Sequence, residues 1–116
     1  MSKTIGKPWP RLSAVELDKL SDALHAIPQH RVQLMYQSQL GQELAADINA
    51  AFKKAGWTSV MFIPGAGNHF GIIAGSGNQK AGLLKTAIES STKLKVELDK
   101  PDVPEWDVVY LFVGIR

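Results

Sequence analysis

One glycine-rich segment in the second half of the chain has the residue types of an anion-binding site. The segment GSGNQK at positions 75–80 follows an apolar run that predicts a strand, and it precedes a run with helical periodicity. At such a turn, free backbone N–H groups of the helix start point outward, and a lysine adds positive charge. The segment therefore predicts a site for a phosphate or nucleotide, with a plain strand-to-helix turn of small residues as the alternative. The predicted ligand-binding residues are Gly75, Ser76, Gly77, Asn78 and Lys80.

Two further positions are candidates for binding. His69 lies in a second glycine-rich segment, at 65–71, where the G-x-G-x-x-x-G spacing leads into a strand and so lacks the helix start of a dinucleotide site. His69 could still reach a ligand, with an ordinary surface histidine as the alternative. Trp106 lies among acidic residues and prolines, which suits a partner surface, with simple packing as the alternative.

The side chains with catalytic potential form no catalytic pattern. The three histidines, at 25, 30 and 69, belong to no metal-binding motif, and the chain has no cysteine. Ser90, Ser91 and Asp47 indicate no triad, and no nucleophile elbow is present. The sequence therefore predicts no catalytic residue, no metal and no cofactor, and it does not favour an enzyme.

The stretch 38–63 organises the predicted fold. Apolar residues recur at helical spacing up to Ala55, and Gly56 suits the left-handed conformation that follows many helices. A strand is then predicted over Trp57–Ile63. With the alternating strand Arg31–Tyr36 before the helix, this pattern predicts a βαβ unit.

The other elements follow from similar signals. Ser13 and Glu16 form a capping box that begins the first helix, and Pro28 ends this helix near Ala26. The remaining predictions are a strand at 70–74, a helix at 79–91, a strand at 94–98 and a strand at 108–115.

The element order α-β-α-β-β-α-β-β predicts an α+β protein. Its core matches the ferredoxin-like split βαβ sandwich, with a mainly antiparallel sheet, two helices on one face and an extra N-terminal helix. A small doubly wound α/β fold is the alternative. The strand at 108–115 is the better candidate for the fourth core strand, because its apolar run indicates burial on both faces, which leaves 94–98 at an edge.

Length and composition limit the classes of function. The 116 residues predict a flexible N-terminal arm at 1–11 and a single α+β domain at 12–116. The net charge of +2 disfavours a dedicated nucleic-acid binder. No segment reaches the roughly 18 apolar residues of a membrane span. A cytoplasmic protein and a domain tethered to a bacterial membrane are both compatible with the sequence.

The helix block and the closing strand carry a family resemblance. The block LGQELAADINAAFKKAGW at 40–57 and the run VVYLFVG at 108–114 resemble the soluble domain of small uncharacterised bacterial membrane-associated proteins. More distantly, the chain is similar to the C-terminal domain of LytR-type cell-envelope proteins, although QSQLG at 37–41 replaces their glycine-rich turn. The resemblance covers about 12–116. It implies a non-catalytic domain near a membrane and assigns no functional residue.

Together these observations predict a non-catalytic binding or interaction module. Its expected partner is an unknown protein or a second copy, giving a homodimer. The alternative is a sensor that binds an anionic small molecule at Gly75–Lys80.

Overall fold

A computed structural model describes residues 9–65, 70–75, 80–99 and 108–115. Three helices and five strands follow one another in the predicted order. They are α1 (Ala14–His25), β1 (Arg31–Tyr36), α2 (Ser38–Lys54), β2 (Val60–Pro64), β3 (Ile72–Gly75), α3 (Lys80–Ser91), β4 (Val96–Asp99) and β5 (Val108–Val113). The predicted α+β class and succession of elements are confirmed.

The strands form one mixed sheet in the order β2-β1-β5-β3-β4. β1 pairs in parallel with both β2 and β5, whereas β3 pairs in parallel with β4 and antiparallel with β5. Two βαβ units, β1–α2–β2 and β3–α3–β4, therefore lie on either side of β5. β5, the better candidate for the fourth core strand, lies at the centre of this sheet, and β4 lies at an edge as predicted.

The prediction of a mainly antiparallel sheet is wrong. Three of the four strand pairings in the described residues are parallel. A split βαβ unit would place another strand between its own two strands, but here the two strands of each unit are hydrogen-bonded neighbours. The ferredoxin-like details are therefore not confirmed. Sequence periodicity locates strands but carries no information on which strands pair, and this is where the prediction failed.

One face of the sheet carries the core. Helix α2 contacts β1, β2 and β5, helix α3 contacts β3, β4 and β5, and α1 lies against both helices. Alternate residues of the strands meet these helices, and their register brings them side by side across the sheet. The strand residues of this core are Val32, Leu34, Val109, Leu111, Val113, Ile72, Ala74 and Val96. Since one cluster joins them to all three helices, the described helices cover one face only, which differs from a doubly wound fold.

The end of α2 forms a Schellman motif. Gly56 has a φ of 88°, and its N–H donates to the Lys53 carbonyl, while the Trp57 N–H donates to the Phe52 carbonyl. The rings of Phe52 and Trp57 pack edge to face at 5.0 Å, which is the apolar contact that accompanies this motif. Trp57 is buried, and its indole N–H donates to the Leu24 carbonyl at 3.0 Å. This anchoring explains why β2 begins at Val60 rather than at Trp57.

The segment before α1 is bound to the domain. The Trp9 indole N–H donates to the Gly114 carbonyl at 2.9 Å. The Arg11 guanidinium makes two hydrogen bonds of 2.8 Å to the carboxylate of Asp47, which also accepts from the Leu12 N–H. Because the guanidinium bonds hold the charged form, the pKa of Asp47 lies below its usual value, although burial opposes the shift. The Ser13 capping box is present as predicted.

No helix in the described part of the chain has the length and apolar character needed to cross a membrane.

Candidate binding surface

The structure describes only part of the predicted anion site. Gly75 ends β3 opposite Tyr110, and α3 begins at Lys80. A Cβ atom added to Gly75 would lie 2.3 Å from the Tyr110 hydroxyl oxygen, so a glycine is required while the ring keeps its place. The predicted residues Ser76, Gly77 and Asn78 lie outside the described residues. The anion-site hypothesis therefore stays a prediction.

The other predicted positions are also outside the described residues, since His69 and Trp106 both fall in the gaps. The two histidines that are described take part in structural contacts. The His25 Nδ1 atom lies 3.2 Å from the Ala55 carbonyl, and the buried His30 ring packs edge to face on Trp57 at 5.0 Å. No group of three or more potential metal-binding side chains occurs within the described ranges.

The face of the sheet opposite the helices, here called the open face, has a different character. Its side chains alternate with those of the core along each strand, and no helix of the described residues packs on it. On this face Met61 is 56% exposed, whereas the Phe112 ring is only 4% exposed. Phe112 is not part of the main core cluster. The backbone at Gly65 lies directly against its ring, where an added Cβ would come within 2.2 Å.

A groove of about 410 Å³ lies on the open face where β1, β2 and β5 begin. The register explains its position, because Arg31 pairs with Val108 on one side while Gln33 pairs with Met61 on the other. The lining residues are Arg31, Val32, Gln33, Thr58, Ser59, Val60, Met61 and Val108. The described lining of the groove thus combines one cation, an amide and two hydroxyl groups with an apolar wall.

The positive charge in the groove is not neutralised by the described residues. Arg31 is exposed, and the ion pairs of the described chain lie elsewhere. They join Arg11 to Glu43 and Asp47, Lys54 to Asp18, and Lys85 to Glu89. Within the described ranges, the Arg31 guanidinium therefore has no carboxylate partner.

The outer edge of β2 adjoins this groove. The Val32 N–H donates to the Ser59 carbonyl at 3.0 Å, and the Gly65 N–H donates to the Tyr36 carbonyl at 2.9 Å. These bonds show that the odd-numbered residues of β2 bond to β1. By the alternation of a strand ladder, the N–H and C=O groups of the even-numbered residues point away from the sheet. Those residues are Val60, Phe62 and Pro64.

The two edges of the sheet differ in charge. β2 contains no charged side chain. By contrast, β4 contains the exposed Glu97, and the residue immediately before this strand is the exposed Lys95. Charged side chains on an edge strand oppose pairing with another chain. The charged side chains therefore protect the edge at β4 against pairing, and β2 has no such side chains.

The groove has no signature in the sequence that marks it as a site. The alternation of Arg31 and Gln33 with Val32 and Leu34 predicted that these polar side chains lie on the face away from the core. Nothing in the sequence placed Met61 or the start of β5 beside them, because that depends on which strands pair.

Comparisons with protein-family models, with curated proteins and with solved structures find no match to this chain. The resemblance to bacterial membrane-associated domains and to LytR-type domains therefore stays a prediction, and the candidate surface is defined by the geometry alone.

Proposed function

We propose that this protein is a non-catalytic interaction module that pairs with a second copy of itself through the outer edge of β2. The observation that carries this proposal is an uncharged edge strand with an exposed methionine. An unpaired strand edge without charges is a template for another strand. In a symmetric pair the same edge serves both copies.

The N–H and C=O groups of β2 that point away from the described sheet select an antiparallel register. With Met61 opposite Met61 of the other copy, Val60 lies opposite Phe62 on both sides of the symmetry axis. Each of these pairs exchanges two N–H···O=C bonds, so the interface has four backbone hydrogen bonds. Pro64 has no N–H group to donate, and its ring lies where that hydrogen would be. The ladder of hydrogen bonds between the two copies is therefore limited to these two pairs.

The side chains are compatible with the same register. The two Met61 side chains lie on the open face as a closely spaced, non-hydrogen-bonded pair, where each covers apolar surface of the other. No like charges meet, because β2 has no charged residue. A self-pairing of β4 about Glu97 would instead place two carboxylates opposite one another, which is unfavourable.

Substitution of Met61 by lysine tests this proposal. Sedimentation equilibrium is expected to give a dimer for the wild-type chain and a monomer for Met61→Lys. In the variant, two ammonium groups would face each other across the symmetry axis and repel. A lysine on an edge strand is also a common means by which natural proteins prevent pairing with another chain.

Leu98→Lys is the matched control, because Leu98 is also an exposed apolar residue, 51% exposed, and lies on the opposite edge strand. This variant is expected to remain dimeric. A wild-type monomer at all concentrations would refute the proposal. A dimer that survives Met61→Lys, or one that dissociates in Leu98→Lys, would place the interface elsewhere and refute it equally.

A further inference from the structure

We infer that the groove around Arg31 binds a small organic carboxylate with a short apolar body. The groove volume of about 410 Å³ lies within the range of roughly 300–1,000 Å³ that small-molecule sites occupy. An exposed guanidinium faces it without a carboxylate partner in the described residues. Such a cation forms two parallel hydrogen bonds with a planar carboxylate.

The other lining groups suit the rest of such a ligand. The side chains of Met61 and Val108 supply apolar contact, while Gln33 and Ser59 supply hydrogen-bonding groups on either side. By the strand register, Arg31 and Gln33 lie on one face of β1, two residues apart, so the guanidinium and the amide are near neighbours. The ligand is therefore expected to lie along β1 with its acid group at Arg31 and its apolar part towards Met61.

The groove is better suited to a carboxylate than to a phosphate. A phosphate dianion is usually held by several donors, such as the N–H groups of a helix start or a glycine-rich turn with a lysine. Among the described residues that line the groove, Arg31 is the single cation, and these residues come from the starts of strands rather than from a helix start. One guanidinium balances one carboxylate, and the apolar wall favours a ligand with a hydrocarbon part.

This inference goes beyond self-association and does not depend on it. The outward backbone groups of β2 lie in the plane of the sheet, whereas the groove lies on the open face, where the Met61 side chain belongs to both proposed contacts. A dimer that forms without ligand binding, or a ligand that binds a monomer, would separate the two proposals.

Hexanoate is the probe for this site, and two-dimensional ¹H–¹⁵N NMR of the whole chain is the measurement. Saturable shifts are expected at residues 31–33, 58–61 and 108. Arg31→Gln is expected to weaken binding about tenfold or more, because a hydrogen bond to a charged group contributes at least that factor. Since Arg31 is exposed, the variant is expected to fold normally, with unchanged shifts elsewhere.

Lys95→Gln is the matched control, since it removes one exposed positive charge at the opposite end and the opposite edge of the sheet. It is expected to bind hexanoate like the wild type. Hexanol, which lacks the charge, is expected to bind at least tenfold more weakly than hexanoate. The proposal would be overturned by the absence of saturable shifts in the groove, by equal affinity in Arg31→Gln, or by tighter binding of hexyl phosphate.

Discussion

The two βαβ units differ in how each helix is joined to the strand that follows it. In the first unit the join is apolar: Gly56 turns the chain, and the Phe52 and Trp57 rings pack at 5.0 Å. In the second unit the join is polar. The Thr92 hydroxyl donates to the Ile88 carbonyl at 2.7 Å and accepts from the Leu94 N–H at 3.1 Å.

The second join is completed by a carboxylate. Glu89 on α3 accepts hydrogen bonds from Lys85 and from the Val96 N–H of β4. The Lys85 bond, followed by the Val96 bond, lowers the pKa of this carboxyl from its usual value. Polar contacts near the surface contribute less stability than buried aromatic rings. The comparison therefore indicates that the first unit is the more stable half of the domain.

The largest expected effect comes from removing an aromatic ring of the first join. Phe52→Ala is expected to lower the free energy of unfolding by about 3–5 kcal/mol, because it deletes a fully buried ring and leaves a cavity beside Trp57. Thr92→Val is the matched change in the second join and is expected to cost about 1 kcal/mol, the usual value of such hydrogen bonds. Urea denaturation followed by tryptophan fluorescence measures both. Equal losses in the two variants would contradict the difference between the joins.

Each unit also has a glycine in its helix, and the surroundings of these two glycines differ. A Cβ atom at Gly41 of α2 would lie 2.9 Å from the Val113 carbonyl oxygen of β5, whereas one at Gly82 of α3 would meet no atom within 4 Å. Gly41→Ala is therefore expected to destabilise the protein by roughly 1–2 kcal/mol, because backbone atoms must separate. Gly82→Ala is expected to stabilise it by about 0.5–1 kcal/mol through helix propensity.

The opposite signs make this pair a sensitive test, since both variants add one methyl group to a helical glycine. Thermal unfolding of the two proteins at one pH is sufficient. If Gly41→Ala were stabilising, the close contact between α2 and β5 at Gly41 would not exist in solution.

The same contrast shows what the sequence could predict. Periodicity located α2, and Gly56 marked its end, because both are local properties of the chain. The parallel pairing of β1 with β5 could not be predicted, since it joins residues more than 70 positions apart, such as Leu34 and Leu111.

The candidate surface shows the same limit. The polar side chains of β1 were predicted to face away from the core, but the groove also needs Met61 and Val108 from two other strands. Only their register with Arg31 and Gln33 brings these residues together. The predicted glycine turn at 75–80 was recognised from local residue types, and its central residues lie outside the described ranges.

The segment before α1 also distinguishes the two units. Its described side-chain contacts bind it to α2 of the first unit and to the residue that follows β5. Asp47 is 14% exposed at its side chain and binds both Arg11 and the Leu12 N–H. Asp47→Asn is expected to lower the free energy of unfolding by about 1 kcal/mol at pH 7, a small value because Arg11 itself is largely exposed to solvent. Asp22→Asn, which changes an exposed carboxylate of α1, is the control and is expected to have an effect within about 0.5 kcal/mol.

The pH dependence of this effect follows from the direction of the pKa shift. The folded state lowers the pKa of Asp47, so the unfolded chain takes up a proton first as the pH falls. The contribution of Asp47 is complete above its unfolded pKa of about 3.9 and is lost as the pH drops through the lower folded value. Urea denaturation should therefore separate wild type from Asp47→Asn by a constant amount near neutrality and by a shrinking amount below about pH 4. A difference that is constant down to pH 2, or one that grows on acidification, would show that Asp47 does not hold the N-terminal segment as a carboxylate.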